Sequence, residues 1–176
     1  MSKYILPSTF SIEFGRGNRT YRLVSSQVLP LSPEIAFTFF EDPGNLFDIT
    51  PDWLDFKKID RREKKGVFEG AEFDYTIRWL SMKLKWRSRI VDYRPPDRFT
   101  DIQIVGPYVL WRHLHTFEKV TGGTLMKDVV HYRLPFGLFG TILHGIMIRR
   151  QLLDIFSYRA VRIFQRAEGK FGEEPP

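Results

Sequence analysis

From residue 56 to residue 134 polar and apolar side chains alternate, and no other feature constrains this 176-residue chain so strongly. A period of two places successive side chains on opposite faces, so the stretch reads as half-buried antiparallel strands. Phe73, Tyr75, Ile77 and Trp79 alternate with Asp74, Thr76 and Arg78. Leu84, Trp86, Ser88 and Ile90 alternate with Lys83, Lys85, Arg87 and Arg89. The short Leu80-Ser81-Met82 link makes a hairpin of these two strands. Turn signals at Arg94-Pro95-Pro96-Asp97, Gly106-Pro107 and Thr121-Gly122-Gly123 divide the remainder into strands at 99–104, 108–118 and 124–134. With a first strand at 56–61, this is an antiparallel meander.

Helical patterns flank the meander. A strand at 20–31 is followed by Ser32-Pro33-Glu34, which offers an N-cap, a proline at the first helical position and a carboxylate for the helix dipole. The helix at 34–41 stops at Asp42-Pro43-Gly44, and a second covers 45–49. A long helix spans 141–167, with Ile142, Ile146, Leu153, Phe156, Ala160 and Phe164 projected onto one face. That stripe needs an apolar partner, and the sheet is the only large one. The expected fold class is α+β: a curved antiparallel sheet wrapped around a long C-terminal helix, with two short helices after the first strand. Residues 20–168 form the domain. Residues 1–19 are an extension with a strand candidate at 10–14 that would add an edge, and 169–176 are expected to be a mobile tail.

Sixteen Phe, seven Tyr and four Trp supply rigid surfaces suited to a cavity lining. The absence of Cys excludes disulfides, thiolate metal sites and cysteine nucleophiles. No apolar run is long enough to span a bilayer and no signal peptide is visible, so the expected location is cytoplasmic. The net charge of +6 is spread over several short clusters, so no nucleic-acid partner is expected. Phe136, Leu138, Phe139 and Ile142 offer a weak peripheral membrane contact, but packing under the sheet is the stronger expectation. Motifs of serine hydrolases, P-loop enzymes, dinucleotide-binding folds and zinc proteases are missing. Oligomeric state is not legible.

The element order, together with Gly106-Pro107-Tyr108, Trp111-x-His113-x-His115-x-Phe117, Gly122-Gly123-Thr124, Asp128, Tyr132 and Leu134-Pro135-Phe136-Gly137, resembles the START-like, or SRPBCC, superfamily. This superfamily includes polyketide cyclase/dehydrase-like and lipid-transfer proteins of helix-grip fold. The resemblance runs from about residue 20 to residue 166 and is closest to a ligand-binding branch. It implies a cavity between sheet and helix for a lipid, quinone, polyketide or similar molecule. The extension before residue 20 departs from the minimal domain.

Within that frame Trp111, His113, His115 and Phe117 share one strand face, and Met126, Asp128, Val130 and Tyr132 share another. Pairing Phe117 with Met126 sets His115 opposite Asp128, His113 opposite Val130 and Trp111 opposite Tyr132. The apolar lining expected on this basis comes from Phe73, Tyr75, Ile77 and Trp79, from Trp86, Trp111 and Tyr132, and from Ile146, Leu153 and Phe156 on the helix. His113, His115, Asp128 and Arg149 would orient a ligand, Arg149 either binding an acidic head group or snorkelling to solvent. The His115–Asp128 pair either pins register as a buried polar pair or fixes a tautomer for ligand contact. The function expected is carrier or sensor of a small hydrophobic ligand. The alternative is a cyclase, dehydratase or aromatase using His115 and Asp128 as an acid/base pair. No cofactor and no metal are expected, although His113, His115 and Asp128 together make a two-histidine, one-carboxylate set.

Overall fold

A computed structural model describes residues 4–17, 20–58, 66–79 and 82–169. Eight antiparallel strands form one curved, unclosed sheet: β1 (Ser11–Arg16), β2 (Tyr21–Leu29), β3 (Lys57–Lys58), β4 (Glu72–Trp79), β5 (Met82–Arg94), β6 (Arg98–Val105), β7 (Leu110–Val120) and β8 (Gly123–Arg133). Their spatial order is β1-β2-β8-β7-β6-β5-β4-β3. The last six strands are therefore a meander, with β2 returning to pair with β8. β1 lies along β2 as an edge strand. The α+β class and the sheet-and-helix arrangement are those the alternation required.

Helix α1 (Pro33–Glu41) begins where Ser32 Oγ accepts from the Ile35 amide at 3.4 Å, and α2 (Asn45–Asp48) follows it. A single 3₁₀ turn, Asp52–Leu54, then leads into β3. The expected strand end at 59–61, the link at 80–81 and the tail from 170 onward lie outside the described residues. On the outer face of β4 and β5 two arginines are paired across the ladder. Arg87 donates two hydrogen bonds to Asp74, at 2.7 and 2.9 Å, and Arg89 bonds Glu72.

The C-terminal helix differs from the one expected. It runs as α3 (Gly137–Leu143), a π-helical turn (His144–Ile148) and α4 (Arg149–Ala167). The π turn holds one more residue than an α turn and so rotates the helix face across it. The buried face carries Ile148, Leu152, Phe156, Ala160, Ile163 and Ala167. Ile142 and Ile146, placed on the buried stripe by a uniform 100° projection, are 59% and 73% exposed, and Leu153 is only half-buried. Phe136, Leu138 and Phe139 are likewise exposed rather than packed under the sheet.

The helix is tied down at both ends. Near its start, His144 in the π turn contacts Tyr132 Oη through Nε2 at 2.8 Å and stacks on Tyr21 with centroids 3.6 Å apart. Near its end, Arg162 donates to the Asp48 carbonyl at 3.1 Å and Arg166 pairs with the Asp48 carboxylate. Between these ties, two apolar clusters separate along the sheet. One gathers Phe37, Phe39, Phe73, Tyr75, Phe99 and Phe117, with Ile163 and Ala167 of α4. The other gathers Tyr21, Leu23, Val130 and Tyr132 with Ile148, Leu152 and Phe156.

Candidate functional site

Strand pairing builds the site row by row. The register of β7 on β8 is the expected one: Phe117 faces Met126, His115 faces Asp128, His113 faces Val130 and Trp111 faces Tyr132. β2 and β6 extend two of these rows. The first reads Ser25, Asp128, His115, Phe99, and the second Leu23, Val130, His113, Asp101. Period two turns all of these side chains toward α4, so two carboxylates and two imidazoles meet on one concave wall.

Asp128 and Asp101 hold the two rings from opposite sides. Asp128 Oδ1 lies 2.9 Å from His113 Nε2, with which it forms a hydrogen bond. It also lies 2.8 Å from His115 Nδ1, which is not aligned for a hydrogen bond, so that contact is an ion pair. Asp128 Oδ2 accepts from Ser25 Oγ at 3.3 Å. The other ring nitrogens face Asp101 Oδ2, at 3.2 Å for His115 Nε2 and 3.5 Å for His113 Nδ1. The rings are tilted by 35° with centroids 3.8 Å apart, and His115 stacks on Phe99 at 4.4 Å. Both histidines and Asp128 are buried, and Asp101 is partly open.

The protonation of this cluster follows from its contacts. Burial alone would raise both carboxyl groups, but bonds from the histidines outweigh it and hold Asp101 below, and Asp128 well below, the usual carboxylate range. Burial alone would depress His115; its contacts with Asp101 and Asp128 outweigh that and raise it. His113 stays depressed, because burial and the neighbouring His115 prevail over its carboxylate contacts. These contacts favour the charged form of both carboxyl groups and of His115, and the neutral form of His113.

The cluster forms one wall of a cavity of about 220 Å³ between the sheet, the α1–α2 segment and α4. Phe73, Tyr75, Ile77, Trp86 and Trp111 line it from the sheet, and Leu152, Ile155 and Phe156 from α4. Asp42, Pro43, Asn45 and Trp53 also line it. Asp101, His113 and His115 face into it, whereas Asp128 stands behind the two rings. Asp101, His113 and His115 offer three ligand atoms within 4.8 Å of one another, a set able to hold a divalent ion. In that role Asp101 takes the place expected of Asp128, which lies on the far side of both imidazoles.

Several expected residues lie elsewhere. Tyr132 is fully buried in the second cluster, bonded to His144 rather than facing the cavity. Arg149 is exposed, with its guanidinium 4.7 Å from the Phe14 ring, and is not a pocket residue. The π turn carries Ile146, Arg149 and Leu153 off the cavity side. The side chain of Trp79 lies outside the described residues. Asp101 and Arg159 are among the site residues that went unread in the sequence, as are Leu152 and Ile155 of α4. Asp101 shares the period-two face of Phe99 and was discoverable by extending that alternation. Arg159 on α4 also lines the cavity, and a charge in an amphipathic helix carries no signal that it faces inward.

No family model matches the chain, and no curated protein matches it. Solved structures do. The Thermus thermophilus protein TTHA0849 aligns with a TM-score of 0.65 at 13% identity, over 84% of this chain and 97% of its own. CV1439 from Chromobacterium violaceum gives 0.63 at 16% identity, over 86% and 99%. A protein from Arthrobacter aurescens gives 0.64 at 9% identity, over 96% and 100%. The chain thus has the fold of these proteins, an antiparallel sheet with a C-terminal helix. Among the described residues no helix is long and apolar enough to cross a membrane, which says nothing of β-barrels.

Proposed function

We propose that this chain is a START-like, SRPBCC-type protein that carries or senses a small hydrophobic molecule bearing at least one oxygen. The cavity carries this reading: aromatic and aliphatic walls on most sides, with the Asp101–His113–His115 wall on one. Its volume of about 220 Å³ exceeds the ~150 Å³ of an engineered apolar cavity that accepts benzene. It suits a substituted one- or two-ring molecule or a short chain better than a two-chain lipid. Apolar walls supply affinity, and a few convergent polar groups fix orientation. Native mass spectrometry of gently purified protein is the test. A retained small molecule, or uptake of added quinones, fatty acids or polyketide-like rings, is the expected result. A chain that is always empty and takes up none of them overturns the reading.

The second reading is an enzyme of cyclase, dehydratase or aromatase type. The observation favouring it is that His115, whose protonated form is favoured by the carboxylates on either side, faces the cavity with Asp101 beside it. Such a group can give a proton to a substrate oxygen, while Asp128 holds the imidazole orientation. Turnover of a polyketide-like substrate that survives both His115→Ala and Asp128→Asn would rule this out.

A further inference from the structure

Arg159 is charged, lines the cavity and is only 9% exposed. It sits on the buried side of α4, three residues after Phe156 and four before Ile163, both of them core residues. Its Nε has no hydrogen-bond partner, and the side chain makes neither a hydrogen bond nor an ion pair among the described residues. Its ring contact is with Phe156, whose centroid lies 5.8 Å from Cζ. Asp128 and Asp101 attract it electrostatically, but neither comes within ion-pair distance, and both are already engaged: Asp128 by both histidines and Ser25, Asp101 by His115. A guanidinium has five N–H donors and accepts nothing, so burial without acceptors is strongly unfavourable. Buried polar groups left unpaired call for a partner that the chain itself does not supply.

We propose that Arg159 is the seat of a carboxylate carried by the cavity's ligand, so that the molecule held is a small aromatic or aliphatic acid. This rests on the ligand-binding reading above. The planar guanidinium fork matches the two coplanar oxygens of a carboxylate, and two parallel charge-assisted bonds form where now there are none. The cavity's apolar walls take the ring or chain, and its size limits that body to about one or two rings. The acid's oxygens replace the water that an unpartnered guanidinium would otherwise have to retain.

The test compares 2-naphthoate with the isosteric neutral 2-naphthamide, by titration calorimetry and by naphthyl fluorescence. A charge-assisted pair contributes about 1.5–3 kcal/mol, which converts to a preference of roughly ten- to a hundredfold for the acid. Arg159→Met keeps an unbranched apolar stem, removes the charge, and abolishes the preference while leaving amide binding in place. Arg159→Lys restores the charge without the fork and recovers part of the preference. Removing an unpartnered buried charge leaves the melting temperature equal or higher, which circular dichroism checks; if the Met variant fails to fold, the Lys variant and Arg159→Gln carry the comparison. Equal binding of acid and amide by the unaltered protein, or a preference that survives Arg159→Met, overturns the assignment while the binding reading stands. Failure of the unaltered protein to bind either probe overturns the assignment, and the binding reading falls with it only if quinones, fatty acids and polyketide-like rings are refused as well.

Discussion

At the scale of single residues, Asp128 and His115 govern how the interior responds to substitution and to pH. Asp128 meets Ser25, His113 and His115 at once, so Asp128→Ala removes the hydrogen-bond acceptor of His113 and the ion-pair partner of His115 inside the core. A loss of about 3–5 kcal/mol in urea denaturation is the expected outcome. His115 carries a pH signature. Its folded pKa is raised above an unfolded value of about 6.5, so its stabilisation is complete below that pH and fades as pH rises through the folded pKa. The stability gap between the unaltered protein and His115→Gln should narrow as pH is raised. His113, depressed, gives the opposite sign: the gap to His113→Gln narrows as pH falls below about 6.5. Urea midpoints across a pH series check both. The Trp-x-His-x-His spacing made one partner legible, because opposition across a hairpin follows from a single turn. Asp101 needed a second register, set by the Gly106-Pro107 turn. Arg159 needed the phase of a helix whose π turn leaves no mark in the hydrophobic pattern.

At the scale of elements, the strands were legible because half-burial writes a period of two directly into the sequence. The C-terminal helix was legible in extent and wrong in phase before its middle, for the reason Ile146 and Arg149 make plain. Its two exposed isoleucines continue an ideal projection that the backbone does not follow. The β7–β8 turn is a sharper case of local chemistry deciding an element. Gly123 has φ +143°, and a Cβ there would lie 2.0 Å from the Leu29 carbonyl oxygen. The next residue, Thr124, donates its hydroxyl to the Leu31 carbonyl just past β2 at 2.7 Å. Gly123→Ala should cost roughly 2–4 kcal/mol. Gly70, with φ +82° and open space around it, should cost only about 1 kcal/mol on the same change. Thermal denaturation of the pair separates steric contact from backbone preference.

For the whole molecule, the enclosure was readable and its exterior was not. A one-sided helix and a one-sided sheet must bury each other, and that argument needs no detail. Which apolar residues are left outside depends on where the helix turns, so Phe136, Leu138 and Phe139, 79%, 83% and 79% exposed, escaped it. Replacing all three with Ser should change the unfolding free energy measured in urea by no more than about 0.5 kcal/mol per site. The same change should bring the protein off a hydrophobic-interaction column distinctly earlier, and chromatography beside denaturation checks the two together. The C-terminal helix meanwhile behaves as a beam resting on two piers, His144 on Tyr132 at one end and Arg162 with Arg166 on Asp48 at the other. Because the far pier stands on Asp48, any displacement of the segment from Asp42 to Trp53 is felt at the end of the helix as well.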